Sequence, residues 1–254
     1  MQATWVHWLL VLFLCKSTGL AVEASVVNGA ESGDSKSLNG RSSYSQCPFD
    51  VRAHGIYTVI LPILDPFQVF CDAKMAGPGW LVIARRTTGE LNFYRNWAEY
   101  KRGFGDLAGE FFIGLDKLHA ITKSQTHQLY VHIEDYEGNK RYAKYDEFLI
   151  GSENEAYQLS KLGAFTGDAG DSMAICRNQK FSTYDRDNDA WKDGSCAHIR
   201  IGPWWHRTYQ DNYSSLFGLY VVGTVPGLDW KGMMWQTFKQ NYSHKKMQMM
   251  VRPK

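Results

Sequence analysis

Apolar and polar positions change their spacing along this chain, and the changes mark its elements. Residues 55–61 (GIYTVIL) and 67–72 (FQVFCD) are rich in β-branched and aromatic side chains and predict strands, with Pro62 and Pro66 between them. Residues 79–86 (GWLVIARR) predict a third strand, closed by a turn at Thr88-Gly89. Residues 97–100 predict a short helix, and 116–122 a second one packed through Leu118 and Ile121. Residues 128–136 (QLYVHIEDY) alternate apolar and polar, the period of a half-buried strand. A Gly138-Asn139 turn leads into its hairpin partner, 140–148, and 157–162 predict one more short strand. Beyond about residue 164 the periodicity fades. Gly, Asp, Asn and Trp dominate there, which predicts long loops.

The N-terminus carries a different pattern. Residues 5–15 (WVHWLLVLFLC) form an apolar run that is too short for a bilayer span of about 20 residues. Lys16 and a stretch of mostly small residues up to Ala24 follow, so 1–24 reads as a secretory signal peptide with Val22-Glu23-Ala24 at the cleavage region. The n-region has no Lys or Arg. Residues 25–46 are Ser/Gly/Asn-rich, and a flexible linker is expected over 25–40. That segment has neither heptads nor a G-X-Y repeat. Residue 216–228 is the longest later apolar stretch, and Gly and Pro interrupt it. A secreted, extracellular chain without membrane insertion is expected.

Composition narrows the functional classes. Of 254 residues, 44% are hydrophobic and 21% charged, which is ordinary for a folded protein. A formal charge of +2, scattered along the chain, gives no nucleic-acid footprint. Nine Trp, 14 Tyr and 13 Phe are the unusual quantity, and they imply either a large irregular core filled with rings, the commoner case, or a carbohydrate-like stacking surface. Cys15 leaves with the signal. The four that remain, Cys47, Cys71, Cys176 and Cys196, read as two disulfides with three possible connectivities. No pair has zinc spacing, and His127 and His132 have no Cys near them. No G-x-S-x-G, H-E-x-x-H or phosphate-loop motif occurs, so no enzyme is predicted. Asn212-Tyr213-Ser214 and Asn241-Tyr242-Ser243 are N-glycosylation sequons. The acidic cluster Asp185, Asp187, Asp189, Asp193 is the metal candidate, since Ca²⁺ takes six to eight oxygens from carboxylates and loop carbonyls. An EF-hand is excluded, because the sixth and twelfth positions from Asp185 are Ala190 and Cys196.

From Cys47 on, ordered landmarks resemble the fibrinogen C-terminal domain family. They include PFQVFCD at 66–72, GWLVIARR at 79–86, NFYRNW at 92–97, YKRGFG at 100–105, GEFFIGL at 109–115, AGDS at 169–172, FSTYDRDND at 181–189 and Trp204-Trp205. The resemblance covers 41–254. It implies an α+β fold: a small N-terminal disulfide-tied β region, a central mixed sheet with short helices, and a loop-rich C-terminal lobe. It also implies an extracellular recognition module, of the kind found in clotting, in ficolin-like innate lectins and in angiopoietin-like ligands.

The resemblance further implies specific residues. Ca²⁺ would be held by Asp187 and Asp189, with main-chain carbonyls near Trp191 and Asp193. The loop from Asp189 to Cys196 is one residue longer than in ficolin-like members. A ligand pocket would be built from Trp204, Trp205, His206, Tyr209, Phe217 and Tyr220, with His206 on an exposed loop. Here the family's Cys-His pair is missing and two residues are inserted, so poor binding of acetylated sugars is expected. The Cys that pairs with Cys196 in the family is replaced by Tyr209, and Cys176 stands where the family has none. A rewired Cys176–Cys196 bridge beside a retained Cys47–Cys71 bridge is therefore expected. Residues and resemblance together imply a secreted, lectin-like or innate-defence protein that binds carbohydrate. Its alternative is an extracellular signalling ligand or matrix protein that engages a cell-surface receptor.

Overall fold

The computed structural model describes residues 36–38, 41–211, 213–224, 227 and 230–254. The signal peptide expected over 1–24 and the sequon residue Asn212 lie outside the described residues.

In chain order the strands are β1 (Lys36–Leu38), β2 (Arg41–Tyr44), β3 (Gly55–Leu61), β4 (Leu64–Asp72) and β5 (Trp80–Arg86). Helix α1 (Trp97–Arg102), strands β6 (Phe104–Gly105) and β7 (Phe111–Phe112), and helix α2 (Leu115–Ser124) follow. Then come β8 (His127–Glu134), β9 (Lys140–Ile150), β10 (Leu159–Leu162) and β11 (Phe165–Gly167). The last part holds α3 (Cys196–Ile199), β12 (Ser214–Ser215), β13 (Met234–Trp235), β14 (Lys239–Ser243) and β15 (Lys246–Pro253).

The main sheet runs β1-β2-β3-β4-β5-β15-β8-β9-β10. It is mixed, because β2 and β3 are parallel and the other pairs antiparallel. The C-terminal strand β15 sits in its middle, paired along its whole length with β8 and over most of it with β5. Met247 through Val251 of β15 are all buried, so both faces of this strand are covered. Its sequence therefore shows no alternation, and the periodicity argument passes over it. Strand β8, with one face on the core, alternates as expected.

Two local expectations are corrected. The linker placed at 25–40 contains β1, which pairs with β2 in a register that brings Leu38 opposite Arg41. Pro66 does not end a strand but lies inside β4, at an irregularity between the Leu61–Leu64 and Val59–Phe67 pairs. On its other side β4 pairs with β5 only at Phe70–Asp72. A proline, which lacks the N–H, is tolerated at such a position.

Helix α1 starts in a capping box: the Asn96 side chain accepts the Glu99 N–H and Glu99 accepts the Asn96 N–H. It stops at Gly103, with φ of 91°, where a Cβ would come within 2.4 Å of the Ile113 carbonyl oxygen. The surplus of rings fills the core. Tyr100 is fully buried, and its ring centroid lies 5.0 Å from Phe104, 5.1 Å from Phe112, 5.2 Å from Phe181 and 5.7 Å from Phe217. Phe181 and Phe217 come from the loop-rich lobe, so aromatic packing joins that lobe to the sheet region.

Candidate binding site

The acidic loop begins on a fixed base. The Ser182 and Trp204 backbones exchange hydrogen bonds at 3.0 and 3.2 Å. Asp185 is spent on structure: its Oδ1 accepts the Trp97 N–H at the start of α1 and the Thr183 hydroxyl. Asn188 donates its side-chain amide to the Phe181 carbonyl. Asp187 and Asp189 then stand side by side. Asp187 Oδ1 accepts the Asp189 N–H at 3.1 Å, and Asp189 accepts the Trp191 and Cys196 N–H groups, each at 2.8 Å. Desolvation and the neighbouring Asp189 carboxylate push the Asp187 carboxyl above its ordinary value. A carboxylate held above its ordinary value beside a second carboxylate is a fit for a divalent cation, which removes the repulsion. Asp193 is exposed, and among the described residues no three acidic, His or Cys side chains gather to hold a metal. Any further ligands of an ion at Asp187 and Asp189 therefore have to be carbonyls or water.

Beyond the loop, Ser195 caps the short helix α3 by accepting the His198 N–H. The Trp191 ring stacks on Tyr209 at 5.1 Å and 30° between planes. Tyr209 is 50% exposed. Arg200 Nη2 donates to the Thr208 and Tyr209 carbonyls, which holds the 208–209 backbone in place. Ile199, Arg200, Tyr209, Gln210, Trp230 and Lys231 line a groove of about 530 Å³.

The predicted ligand pocket divides. Trp204, Trp205 and Phe217 are core residues, with the indole N–H groups donated to Ser214 Oγ and the Tyr157 carbonyl. His206 is not on an exposed loop. It is 3% exposed, its Nε2 lies 2.8 Å from the Gly202 carbonyl oxygen, and burial with nearby Arg200 pushes its pKa down to about 3. Tyr209 reaches the groove, whereas Tyr220 lines a separate cavity with Arg86. The six residues thus form no single pocket. Large aromatic residues in a loop-rich segment satisfy the core first, because that segment has few aliphatic residues to bury.

Cys47 and Cys71 are bridged, with Cα atoms 5.6 Å apart. The rewired bridge does not form: Cys176 and Cys196 are both free and buried. The Cys176 thiol lies 3.6 Å from Ser214 Oγ, and Cys196 opens α3 with its N–H on Asp189. Burial pushes the two thiols up to about 11 and 12. Asn241, the second sequon residue, is half-buried at φ of 53°, and the sequon hydroxyl of Ser243 is buried against the Met233 N–H.

Residues 46–254 match the model of the C-terminal globular domain of fibrinogen beta and gamma chains. The chain belongs to the fibrinogen C-terminal domain family. Among this family's curated members, angiopoietin-4 of Bos taurus is 39% identical over 208 residues, which is 81% of this chain and 41% of that protein. The chain thus spans about two fifths of the curated relatives it matches. Among solved members, the fibrinogen-like globe domain of human ANGPTL2 superposes with a TM-score of 0.75 at 38% identity, covering 79% of this chain and 92% of that one. That of human ANGPTL6 gives 0.77 at 34% identity, covering 83% and 96%. Family membership accounts for the expected α+β architecture, and among the described residues no helix is long and apolar enough to cross a membrane.

Proposed function

We propose that this chain is an extracellular, non-catalytic signalling ligand whose C-terminal lobe engages a protein receptor on a cell surface. The observation that carries the reading is the groove beside Tyr209. Its described lining sets the Trp230 ring, the aliphatic Ile199 and the cations Arg200 and Lys231 around the half-exposed Tyr209, a composition typical of protein-binding hot spots. The angiopoietin and ANGPTL relatives support it. So does the disulfide Cys47–Cys71, which belongs to an oxidising compartment. The lectin-like reading has less support, since four of its six pocket residues are packed in the core. A Ca²⁺ ion held by Asp187 and Asp189, with main-chain carbonyls near Trp191 and Asp193, would supply positive charge to the loop that carries Trp191, and so steady the platform under Tyr209.

The test is binding of the fluorescently labelled chain to a panel of mammalian cell lines by flow cytometry. Tyr209→Ala and Trp230→Ala should each weaken binding about tenfold or more, with melting temperatures kept. Trypsin treatment of the cells should abolish it. Binding that survives trypsin and falls with glycosidases would replace this reading with the lectin-like one.

A further inference from the structure

Arg86 is a buried cation with half of its guanidinium unused. It is 2% exposed at the end of β5. Nη1 donates to the Leu216 carbonyl at 3.2 Å and the Gly218 carbonyl at 2.5 Å. The Phe93 ring centroid lies 4.5 Å from Cζ and the Tyr220 centroid 5.8 Å. Nε is buried and has no hydrogen-bond partner among the described residues, and both guanidinium hydrogen bonds to described residues come from Nη1 rather than Nη2. These two nitrogens form one edge of the guanidinium, the fork that grips a carboxylate through two parallel hydrogen bonds.

No carboxylate of the described residues forms an ion pair with Arg86. Glu110 is close enough to be felt, but its two oxygens already accept the N–H groups of Thr87, Thr88, Gly89 and Leu91 at 2.6 to 2.9 Å. A buried charge held only by two carbonyls and two ring faces is incompletely compensated. Burial accordingly pushes the Arg86 pKa down to about 10, against the pull of the phenols and Glu110.

Arg86 also lines a cavity of about 220 Å³, formed between the 89–94 segment and the 218–220 turn. At roughly 30 Å³ per liquid water, this is room for a carboxylate and the one or two methylenes behind it. Asn92, Tyr94 and Tyr220 also line it; Asn92 Oδ1 accepts the Tyr94 N–H, and the Tyr220 hydroxyl donates to the Thr87 carbonyl. Exposed Glu90 lines the same cavity and is the one acid among its lining residues.

We propose that this cavity is a carboxylate-binding site, in which the Nε–Nη2 edge of Arg86 takes the acid group of a small organic acid or of an Asp or Glu side chain. Neutral donors at Asn92 and Tyr94 surround the acid, and Glu90 tunes the affinity downward by like-charge repulsion. The cavity shares no lining residue with the groove beside Tyr209, so the two readings stand or fall separately.

The experiment follows the Arg86 Nε–H resonance of the full chain labelled with ¹⁵N-arginine. Sodium acetate and a blocked Gly-Glu-Gly peptide are each titrated against sodium chloride at matched ionic strength. A saturable shift with acetate and not with chloride is expected. The peptide arm then tells the sources apart: a shift with both probes assigns the site to acidic side chains, and a shift with acetate alone assigns it to free acids. Glu90→Gln should tighten acetate about two- to fivefold. Arg86→Lys, which lacks the fork, should lose the rise in melting temperature that acetate gives the wild type. No saturable shift from either probe, equal shifts with chloride, or an undiminished acetate effect in Arg86→Lys would overturn the site.

Discussion

Asp189 Oδ2 accepts the backbone N–H of Cys196 at 2.8 Å, so a single carboxylate ties the acidic loop to the first residue of α3. Its other oxygen accepts the Trp191 N–H, which places the indole against Tyr209. Loop, helix and exposed ring are thereby one unit.

Removing that carboxylate should loosen the unit. Asp189→Ala leaves two N–H groups without their acceptor, and a loss of about 1–3 kcal/mol is expected in urea unfolding. Calorimetry should also show no Ca²⁺ binding for Asp189→Ala or Asp187→Ala, against saturable binding by the wild type.

Asp187 should respond in the opposite sense when no metal is present. Its folded-state pKa is raised by desolvation and by Asp189, so ionisation costs more in the folded state than in the unfolded one. The carboxylate therefore destabilises the fold above its folded pKa, and the penalty fades as pH falls through the folded value and is gone below the unfolded one. Asp187→Asn should raise the melting temperature in EDTA at pH 7 and leave it unchanged near pH 3. Scanning calorimetry at both pH values checks this.

Glu110 follows the other sign. Burial would raise its pKa, but the four backbone N–H groups of the 87–91 turn hold it lowered. Its stabilisation is complete above the unfolded value and is lost as pH falls through the folded one. Glu110→Gln should cost about 1–3 kcal/mol at neutral pH, with the difference from wild type shrinking in acid. Because this turn borders the Arg86 cavity, amide exchange at 87–91 should quicken as well.

The two free thiols should be silent in the native protein. Both are buried and their ionisation is disfavoured, so a thiol reagent at pH 8 should label neither Cys176 nor Cys196 until denaturant is added. Two equivalents should then react in protein prepared without residues 1–24 and hence without Cys15, while Cys47 and Cys71 stay bridged. Reducing that bridge, whose partners are 24 residues apart, should cost about 3 kcal/mol.

Strand β15 carries the last prediction. Deleting 246–254 removes the strand between β5 and β8 and leaves both edges exposed. The truncated chain should show no cooperative unfolding transition by circular dichroism. Met249→Ala alone, at a fully buried site, should cost about 2–5 kcal/mol.

The sequence by itself determined everything that depends on local spacing. Strict alternation identified β8, and Leu118 with Ile121 marked the buried side of α2, because one-sided burial writes its period into the chain. The ordered landmarks carried the family and with it the α+β fold. The acidic cluster at 185–193 was legible in the residues, and the family resemblance singled out Asp187 and Asp189 within it. What depends on distant segments meeting was decided by the tertiary structure. The buried strand β15 has no period to read, since distant parts of the chain cover both of its faces. His206 looks like an exposed loop residue until the tertiary structure buries it. Cys176 and Cys196 had to be placed in three dimensions before they could be called apart, because sequence separation says nothing of how two thiols face. The cavity at Arg86 needed residues 86–94 to meet 218–220, a juxtaposition that the packing of Phe93 against Phe217 creates at 5.6 Å and that no local pattern encodes.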